Sequence, residues 1–146
     1  MKRALVILAA CGTDPATPPG EASILPDDWA TFAEVRNCRS SSDHDLDRIR
    51  VVADPAARPI YTSRTGEFPL GATIVKPEYD FGDTTCTGEI VQWTVMQKIE
   101  GTEHLGYKWQ RLDATGKVVT TDDARCYQCH GDCVGESGFA GTCAVP

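Results

Sequence analysis

The chain has 146 residues, which is enough for one domain with a hydrophobic core and too few for two. Its formal net charge of −7, with no basic cluster, argues against nucleic acid and favours a small molecule or a cationic redox partner. The 13 glycines, 9 prolines and short apolar runs favour a strand-rich fold with many turns.

The amino terminus has the pattern of an export leader. Two basic residues precede the apolar run 4–10, which ends in Leu8-Ala9-Ala10 and is followed by Cys11. This pattern resembles the lipobox of bacterial lipoproteins, in which the cysteine is lipidated; the alternative is an ordinary leader with an incidental cysteine. The run is too short to span a bilayer. We therefore expect a periplasmic or outer-membrane-associated lipoprotein that meets the membrane only through an anchor on Cys11.

The rest of the chain divides into three segments. Residues 11–26 are rich in Pro, Thr and Ala and predict a flexible tether. Residues 27–130 carry the periodic patterns of one folded domain, and residues 131–146 form a Gly-rich tail. The domain begins with a predicted helix, because Trp29, Phe32, Ala33 and Arg36 recur at helical spacing after Asp27, a possible cap.

Five strands are predicted after this helix. They cover residues 48–53, 72–76 (ended by Pro77), 89–98, 106–112 and, after a turn at 114–116, 117–120. A turn-rich crossover at 55–64 and a loop at 80–88 connect them. The order predicts an α+β fold, mainly an antiparallel β-sheet with a few short helices.

The stretch Cys126-Tyr127-Gln128-Cys129-His130 is the attachment signature of a c-type haem. One helical turn places both thiols on the same side, where each can add to a haem vinyl group, and His130 follows as the proximal iron ligand. Thr121 or Asp122 could cap this turn. A zinc site would need a second ligand pair, and a redox dithiol would need an alternating strand–helix pattern; the chain has neither. The sequence thus predicts one covalent haem c on a helical turn near the C-terminus, bound by Cys126 and Cys129.

Four cysteines remain after one for lipid and two for haem are subtracted from seven. An even number in an exported chain suggests two disulfides, for which three pairings exist. Loop closure favours Cys133–Cys143 as the local pair, stapling the tail, and this leaves Cys38–Cys86. Free buried thiols are the alternative.

The second axial side of the iron has few candidate ligands. Met96 could ligate iron and make an electron-transfer cytochrome, although filling the core is the commoner role of a methionine. His44 and His104 lie in polar segments and are predicted at the surface. An open iron that handles small molecules is therefore favoured. Lys76 is unusual, because strand alternation puts it on an apolar face where a lysine must either reach solvent or react.

Three features together resemble the cytochrome P-460 family. They are the segment 65–76, which reads Thr-Gly-Glu-Phe-Pro-Leu-Gly-Ala-Thr-Ile-Val-Lys, a Trp-containing strand, and the late haem motif. The resemblance covers residues 29–130. It implies an antiparallel sheet, a homodimer and a five-coordinate c-type haem. In cytochromes P-460 a lysine is cross-linked to the haem, and Lys76 lies at the matching position. Those proteins oxidise hydroxylamine, whereas the related cytochromes c′-beta bind gases such as nitric oxide beneath an aromatic cap. Phe68 is a candidate for that cap, and a position in the core is the alternative.

One departure from the family concerns the proton acceptor. The resemblance implies a distal glutamate in the strand 90–96, where our register has Thr94 and the nearest acid on that face is Glu89. A threonine cannot act as a general base at ordinary pH. Three functions therefore stay open: an oxidoreductase for hydroxylamine or nitric oxide with a redox partner protein, a non-catalytic gas binder, and an electron-transfer cytochrome with Met96 as sixth ligand.

Overall fold

The computed structural model describes residues 20–41, 44, 47–133 and 139–143. The predicted leader and its lipidation site Cys11 lie outside the described residues. So do residues 134–138 and 144–146 of the predicted tail. Among the helices that the structure describes, none has the length and apolar character needed to cross a membrane.

Six strands form one antiparallel sheet in which spatial order follows chain order. The strands are β1 (Ala33–Ser40), β2 (Arg48–Ala53), β3 (Thr73–Tyr79), β4 (Ile90–Lys98), β5 (Tyr107–Asp113) and β6 (Val118–Thr121). The described residues also contain helices α1 (Ala57–Ser63) and α2 (Ala124–Asp132) and the 3-10 turns Trp29–Thr31 and Glu103–Gly106. The predicted antiparallel sheet with short helices is confirmed. The predicted crossover at 55–64 contains α1, where the Asp54 carboxylate accepts from the backbone N–H of Ala57 at 2.6 Å.

The first predicted helix is wrong beyond one turn. Only Trp29–Thr31 is helical, and β1 begins at Ala33, which pairs with Ala53 of β2. The helical spacing of Trp29 and Phe32 instead reflects their shared packing against one face of the sheet. Pairing with a distant strand overrides a short local periodicity.

Strand β3 does not end before Pro77, as we predicted, but continues to Tyr79. Pro77 is paired with Trp93 of β4. On the β2 side the paired residues pass from Val52–Val75 directly to Ile49–Glu78, so the ladder is interrupted beside the proline, which has no N–H to donate. The continuation places Glu78 on the same face of the strand as Lys76, because side chains two residues apart share a face.

The two faces of the sheet bury separate clusters. One face contributes Val51, Ile74, Met96, Tyr107 and Trp109, which pack with residues of α1 and α2. The other face contributes Val52, Val75, Val95 and Leu112. Side chains of β4 and β5 therefore alternate between the two clusters, and the helices lie on the face that carries Met96 and Trp109.

The end of the predicted tether is part of the folded region. Ile24 and Leu25 pack against the cluster around Leu112. Buried Gln110 of β5 accepts from the Ile24 N–H at 2.8 Å and donates to the Ala22 carbonyl at 2.9 Å. These apolar side chains and the paired amide hold residues 22–25 on the sheet, so the fold begins before residue 27.

Both expected disulfides are present. Cys38 of β1 is joined to Cys86 in the loop between β3 and β4, across 48 residues of sequence. Cys133, directly after α2, is joined to Cys143, 10 residues further on. These are the pairs that loop closure favoured.

Candidate haem site

Helix α2 presents the cysteine–histidine motif. Its N-cap is Asp123, rather than Thr121 or Asp122 as predicted, and the Asp123 carboxylate accepts from the Arg125 N–H at 2.9 Å. Cys126 is half-buried, Cys129 is exposed, and both are free thiols. Burial raises the pKa of the Cys126 thiol, with the charge of Asp123 adding to the effect, so this thiol is protonated at neutral pH.

A cavity of about 260 Å³ is lined by this helix and by one face of the sheet. Helix α2 and its cap contribute Asp123, Arg125, Cys126, Cys129 and His130. The sheet and the segment before β2 contribute His44, Ile74, Lys76, Gln92, Thr94, Val95, Met96, Trp109, Gln110 and Arg111. The fold thus brings residues that are 86 positions apart, from His44 to His130, to one cavity.

His130 is oriented as a metal ligand would be. Its Nδ1 donates to the Gly141 carbonyl at 2.5 Å, and the Trp109 ring lies 4.6 Å from its own. Burial, with the positive charge of Lys76 adding to it, lowers the pKa of His130 to about 4. The imidazole is therefore neutral at pH 7, and Nε2 keeps its lone pair for a metal, as in sites where the second nitrogen is held by a carbonyl.

The Gly141 carbonyl that accepts from His130 belongs to residues 139–143, a segment held in place by a hydrogen bond and a disulfide. The Tyr107 hydroxyl donates to the Ala140 carbonyl at 2.8 Å, and the Cys133–Cys143 disulfide ties the segment to the end of α2. Phe139 packs on Phe68 with ring centroids 6.0 Å apart. Phe68 is buried in this core and does not line the cavity, so its predicted role as a distal cap has no support from its position.

The Tyr107 phenol makes stability depend on alkaline pH. Burial, with the charge of Glu67 adding to it, raises the pKa of Tyr107 to about 12, against about 10 in an unfolded chain. Because the folded-state pKa is the higher one, the stabilisation is complete below pH 10 and is lost as pH rises towards 12. We expect urea titrations to show a fall of about 2 kcal/mol in the free energy of unfolding across this range. The fall should shrink in Tyr107→Phe; an equal fall in that variant would contradict the assignment.

The sheet wall of the cavity carries a buried polar network that the sequence analysis missed. Lys76 Nζ lies 2.6 Å from His44 Nε2, and His44 Nδ1 lies 3.1 Å from Glu78 Oε1. Glu78 is 0% exposed and also accepts from Thr94 Oγ1 at 3.0 Å and from Gln92 Nε2 at 2.7 Å. Two expectations are therefore corrected: His44 is not a surface residue, and an acid does lie beside Thr94.

Glu78 remains ionised within this network. Its burial would raise the pKa, but the hydrogen bond and charge of His44, the hydrogen bond from Gln92 and the charge of Lys76 outweigh that effect and lower the pKa below its ordinary value.

The sequence signal for Glu78 is its position two residues after Lys76 in a strand. We missed it because we ended that strand before Pro77.

The other predicted residues of β4 lie in two rows of the sheet. Thr94 is paired with Lys76 of β3 and with Arg111 of β5. Met96, in the next row, is paired with Trp109 and is 6% exposed within the core. Both rows line the cavity, so Lys76, Thr94 and Met96 are brought together, with Met96 in the row of the tryptophan that contacts His130.

His104, the other predicted surface histidine, supports α2 from outside the cavity. Its ring stacks on Tyr127 with centroids 4.5 Å apart, and its side chain is 34% exposed. Its backbone carbonyl accepts from Trp109 Nε1 at 2.9 Å. The residue is therefore half-buried and helps to hold the tryptophan that packs on His130.

The donor set of the cavity fits a haem better than a bare metal ion. Two free thiols and a neutral imidazole share an apolar cavity, and the buried Nε of Arg111 has no hydrogen-bond partner within the described residues. Lys76, Arg111 and Arg125 are cations that suit the carboxylates of haem propionates. In the part of the chain that the structure describes, no three His, Cys, Asp or Glu side chains are grouped as a metal ion would require.

The comparison with known proteins also points to haem as the group that these donor atoms would hold. The family model for cytochrome P460 matches residues 26–136, a range that includes every residue lining the cavity. A search of curated proteins found no match. The family match implies a haem cofactor and a cytochrome of the c type, and it covers most of the chain. The chain belongs to the cytochrome P460 family.

Proposed function

We propose that this chain is an exported cytochrome with one covalent haem c, and that it acts as an oxidoreductase on hydroxylamine or nitric oxide. The family match supports the haem, and members of the family are typically exported cytochromes. The observation that carries the proposal is the arrangement on α2, where two free thiols and a neutral imidazole share one cavity with Lys76.

Each group of the cofactor has a partner in the cavity. Cys126 and Cys129 would form the two thioether bonds, and His130 Nε2 would ligate the iron. Arg111 and Arg125 would pair with the propionates, and Lys76 would be the residue that forms a cross-link to the ring. When bound, the haem supplies an iron that accepts electrons and binds small nitrogen compounds at its open side.

The protein residues shape where a substrate is held. Ile74, Met96 and Trp109 form an apolar part of the wall. Gln92 and Thr94 provide polar groups on the same wall. The position of Met96 in the core, paired with Ile74 and Trp109, supports a packing role rather than that of a sixth ligand.

The two disulfides support the proposed location, and the net charge supports the proposed redox partner. Two disulfides suit an oxidising compartment such as the periplasm, which supports export. Lipidation of Cys11 would then attach the protein to a membrane. The net charge of −7 suits a redox partner protein with a positive surface, and the homodimer of the family is proposed for this chain also.

The proposal is tested with haem-loaded, full-length protein. We expect hydroxylamine to be oxidised when an artificial electron acceptor is supplied, and we expect a strongly red-shifted Soret band in the reduced protein if Lys76 is cross-linked. A fully haem-loaded sample that does not turn over hydroxylamine but binds nitric oxide would favour the gas-binding alternative, which the threonine at position 94 supports. A low-spin spectrum that becomes high-spin in Met96→Leu would favour the electron-transfer cytochrome.

A further inference from the structure

We propose that His44 is the proton acceptor for substrate in this cavity and that Glu78 positions it. The inference rests on the proposed function, because it names the base that hydroxylamine oxidation requires. The step is a proton transfer: a substrate N–H or O–H bond breaks, an N–H bond forms at His44 Nε2, and the electron pair stays on the substrate. The haem, when bound, would supply the electron path to the redox partner that the proposed function already includes.

The hydrogen bond to Glu78 selects the form of His44 that can accept a proton. Glu78 is an ionised carboxylate, so His44 Nδ1, 3.1 Å from its Oε1, must be the nitrogen that donates. The lone pair of the neutral ring is then on Nε2. This is the arrangement in which a buried carboxylate holds a catalytic imidazole in the correct tautomer and stabilises the charge that forms on it.

The contact with Lys76 shows that an N–H donor reaches this lone pair. Lys76 Nζ lies 2.6 Å from His44 Nε2, and an ammonium has only donors to offer. Hydroxylamine presents the same type of N–H group. The lysine therefore marks the direction from which a substrate proton would arrive, and engagement of Lys76 by the haem would leave that direction to the substrate.

Burial separates the roles of the two residues. His44 lines the cavity, whereas Glu78 does not line it and is 0% exposed. The Glu78 oxygens are already bonded to His44, Thr94 and Gln92. Glu78 therefore touches no substrate and acts as a positioning residue, and His44 is the residue that meets the reacting atoms.

The same geometry explains the threonine at position 94. Thr94 lies directly across from Lys76, and its hydroxyl donates to Glu78 Oε1 at 3.0 Å. A glutamate at position 94 would place a second carboxylate against Glu78, and two like charges at that distance repel each other. In this chain the buried carboxylate is Glu78 of the neighbouring strand β3, and the Thr94 hydroxyl is one of its hydrogen-bond donors.

The charges around the pair favour transfer to His44 rather than to another base. Arg111 of β5 and Arg125 of α2 line the cavity as guanidinium groups that have no acceptor to offer, and Lys76 of β3 is either an ammonium or engaged by the haem. Asp123 also lines the cavity, but its carboxylate is used at the start of α2. Among the described lining residues, His44 is thus the imidazole that is not committed to the iron.

The test compares three variants of the haem-loaded, full-length protein: His44→Gln, Glu78→Gln and the matched control Glu89→Gln, which changes an exposed acid just before β4. We expect His44→Gln to lose about 100-fold in hydroxylamine turnover, as for loss of a general base, with substrate affinity in optical titrations kept within about threefold. Glu78→Gln should lose about tenfold, as for an outer-shell partner, and Glu89→Gln should match the parent protein.

Nitrogen-15 NMR of the diamagnetic, ferrous carbon monoxide form gives a readout independent of turnover. We expect the parent protein and Glu89→Gln to show His44 with a proton on Nδ1, and Glu78→Gln to lose this preference. If Glu78→Gln fails to retain haem, Thr94→Val removes one donor to Glu78 and should shift the same His44 signals.

Three results would overturn the inference. An active parent protein with an equally active His44→Gln variant, or a parent His44 that carries its proton on Nε2, removes the acceptor role alone. A haem-loaded parent protein that does not turn over hydroxylamine removes the proposed function and the acceptor role together.

Discussion

Replacing Cys126 and Cys129 together with serine, in a Lys76→Arg background that cannot form a cross-link to the ring, is expected to abolish covalent attachment of haem. Thiols add to the haem vinyl groups because sulfur is a strong nucleophile, and a serine hydroxyl at the same place is not. Each single replacement should leave one thioether bond at most. Haem staining after denaturing electrophoresis and the mass of the intact chain measure the outcome directly.

The matched control is the double replacement of Cys133 and Cys143 by serine, which also removes two sulfur atoms close to α2. This variant should keep covalent haem, because neither cysteine lines the cavity. Covalent haem in the Cys126/Cys129 variant, or its loss in both variants alike, would contradict the assignment of the attachment residues.

Removing the Cys38–Cys86 disulfide by alanine replacements is expected to lower the free energy of unfolding by about 4 kcal/mol. The bond closes a loop of 48 residues, and the unfolded chain gains the conformational freedom of that loop when the bond is absent. Cys86 is 1% exposed, so alanine also leaves a small void. Urea denaturation of the oxidised parent protein and of the variant measures the difference.

The second disulfide provides the comparison. Cys133–Cys143 spans only 10 residues, so the same loop argument gives about 3 kcal/mol for its removal. We therefore expect the free energy of unfolding to fall more when Cys38–Cys86 is removed, because that disulfide closes the longer loop. A smaller loss from Cys38–Cys86 would show that local packing of the two segments, rather than loop length, controls their contribution.

The features predicted correctly from the sequence are those whose information is local. Strands β4 and β5 are long alternating runs, and a two-residue period is visible without any knowledge of the partner strand. The haem motif, whose role stays a prediction, is also local, because Cys126, Cys129 and His130 lie within one helix. The spacing that serves the chemistry is therefore the spacing that can be read from the chain.

The errors occurred where a distant partner decides the local structure. Residues 33–36 have a weak helical spacing, but pairing with β2 makes them a strand. Pro77 usually ends a strand, yet here its missing N–H falls where the ladder with β2 is interrupted, so β3 continues. In both cases the backbone hydrogen bonds of the neighbouring strand outweigh the preference of a single residue or turn.

The residues and their motif thus predict the class of cofactor, the attachment atoms and the antiparallel sheet. The contacts that would orient the proposed chemistry come from tertiary structure: His44 and Glu78 meet across 34 residues, and Gly141 reaches His130 through a turn held by a disulfide. A buried carboxylate stays charged only when donors converge on it. For Glu78 those donors come from β4 and from the segment before β2, and only the folded sheet brings them together.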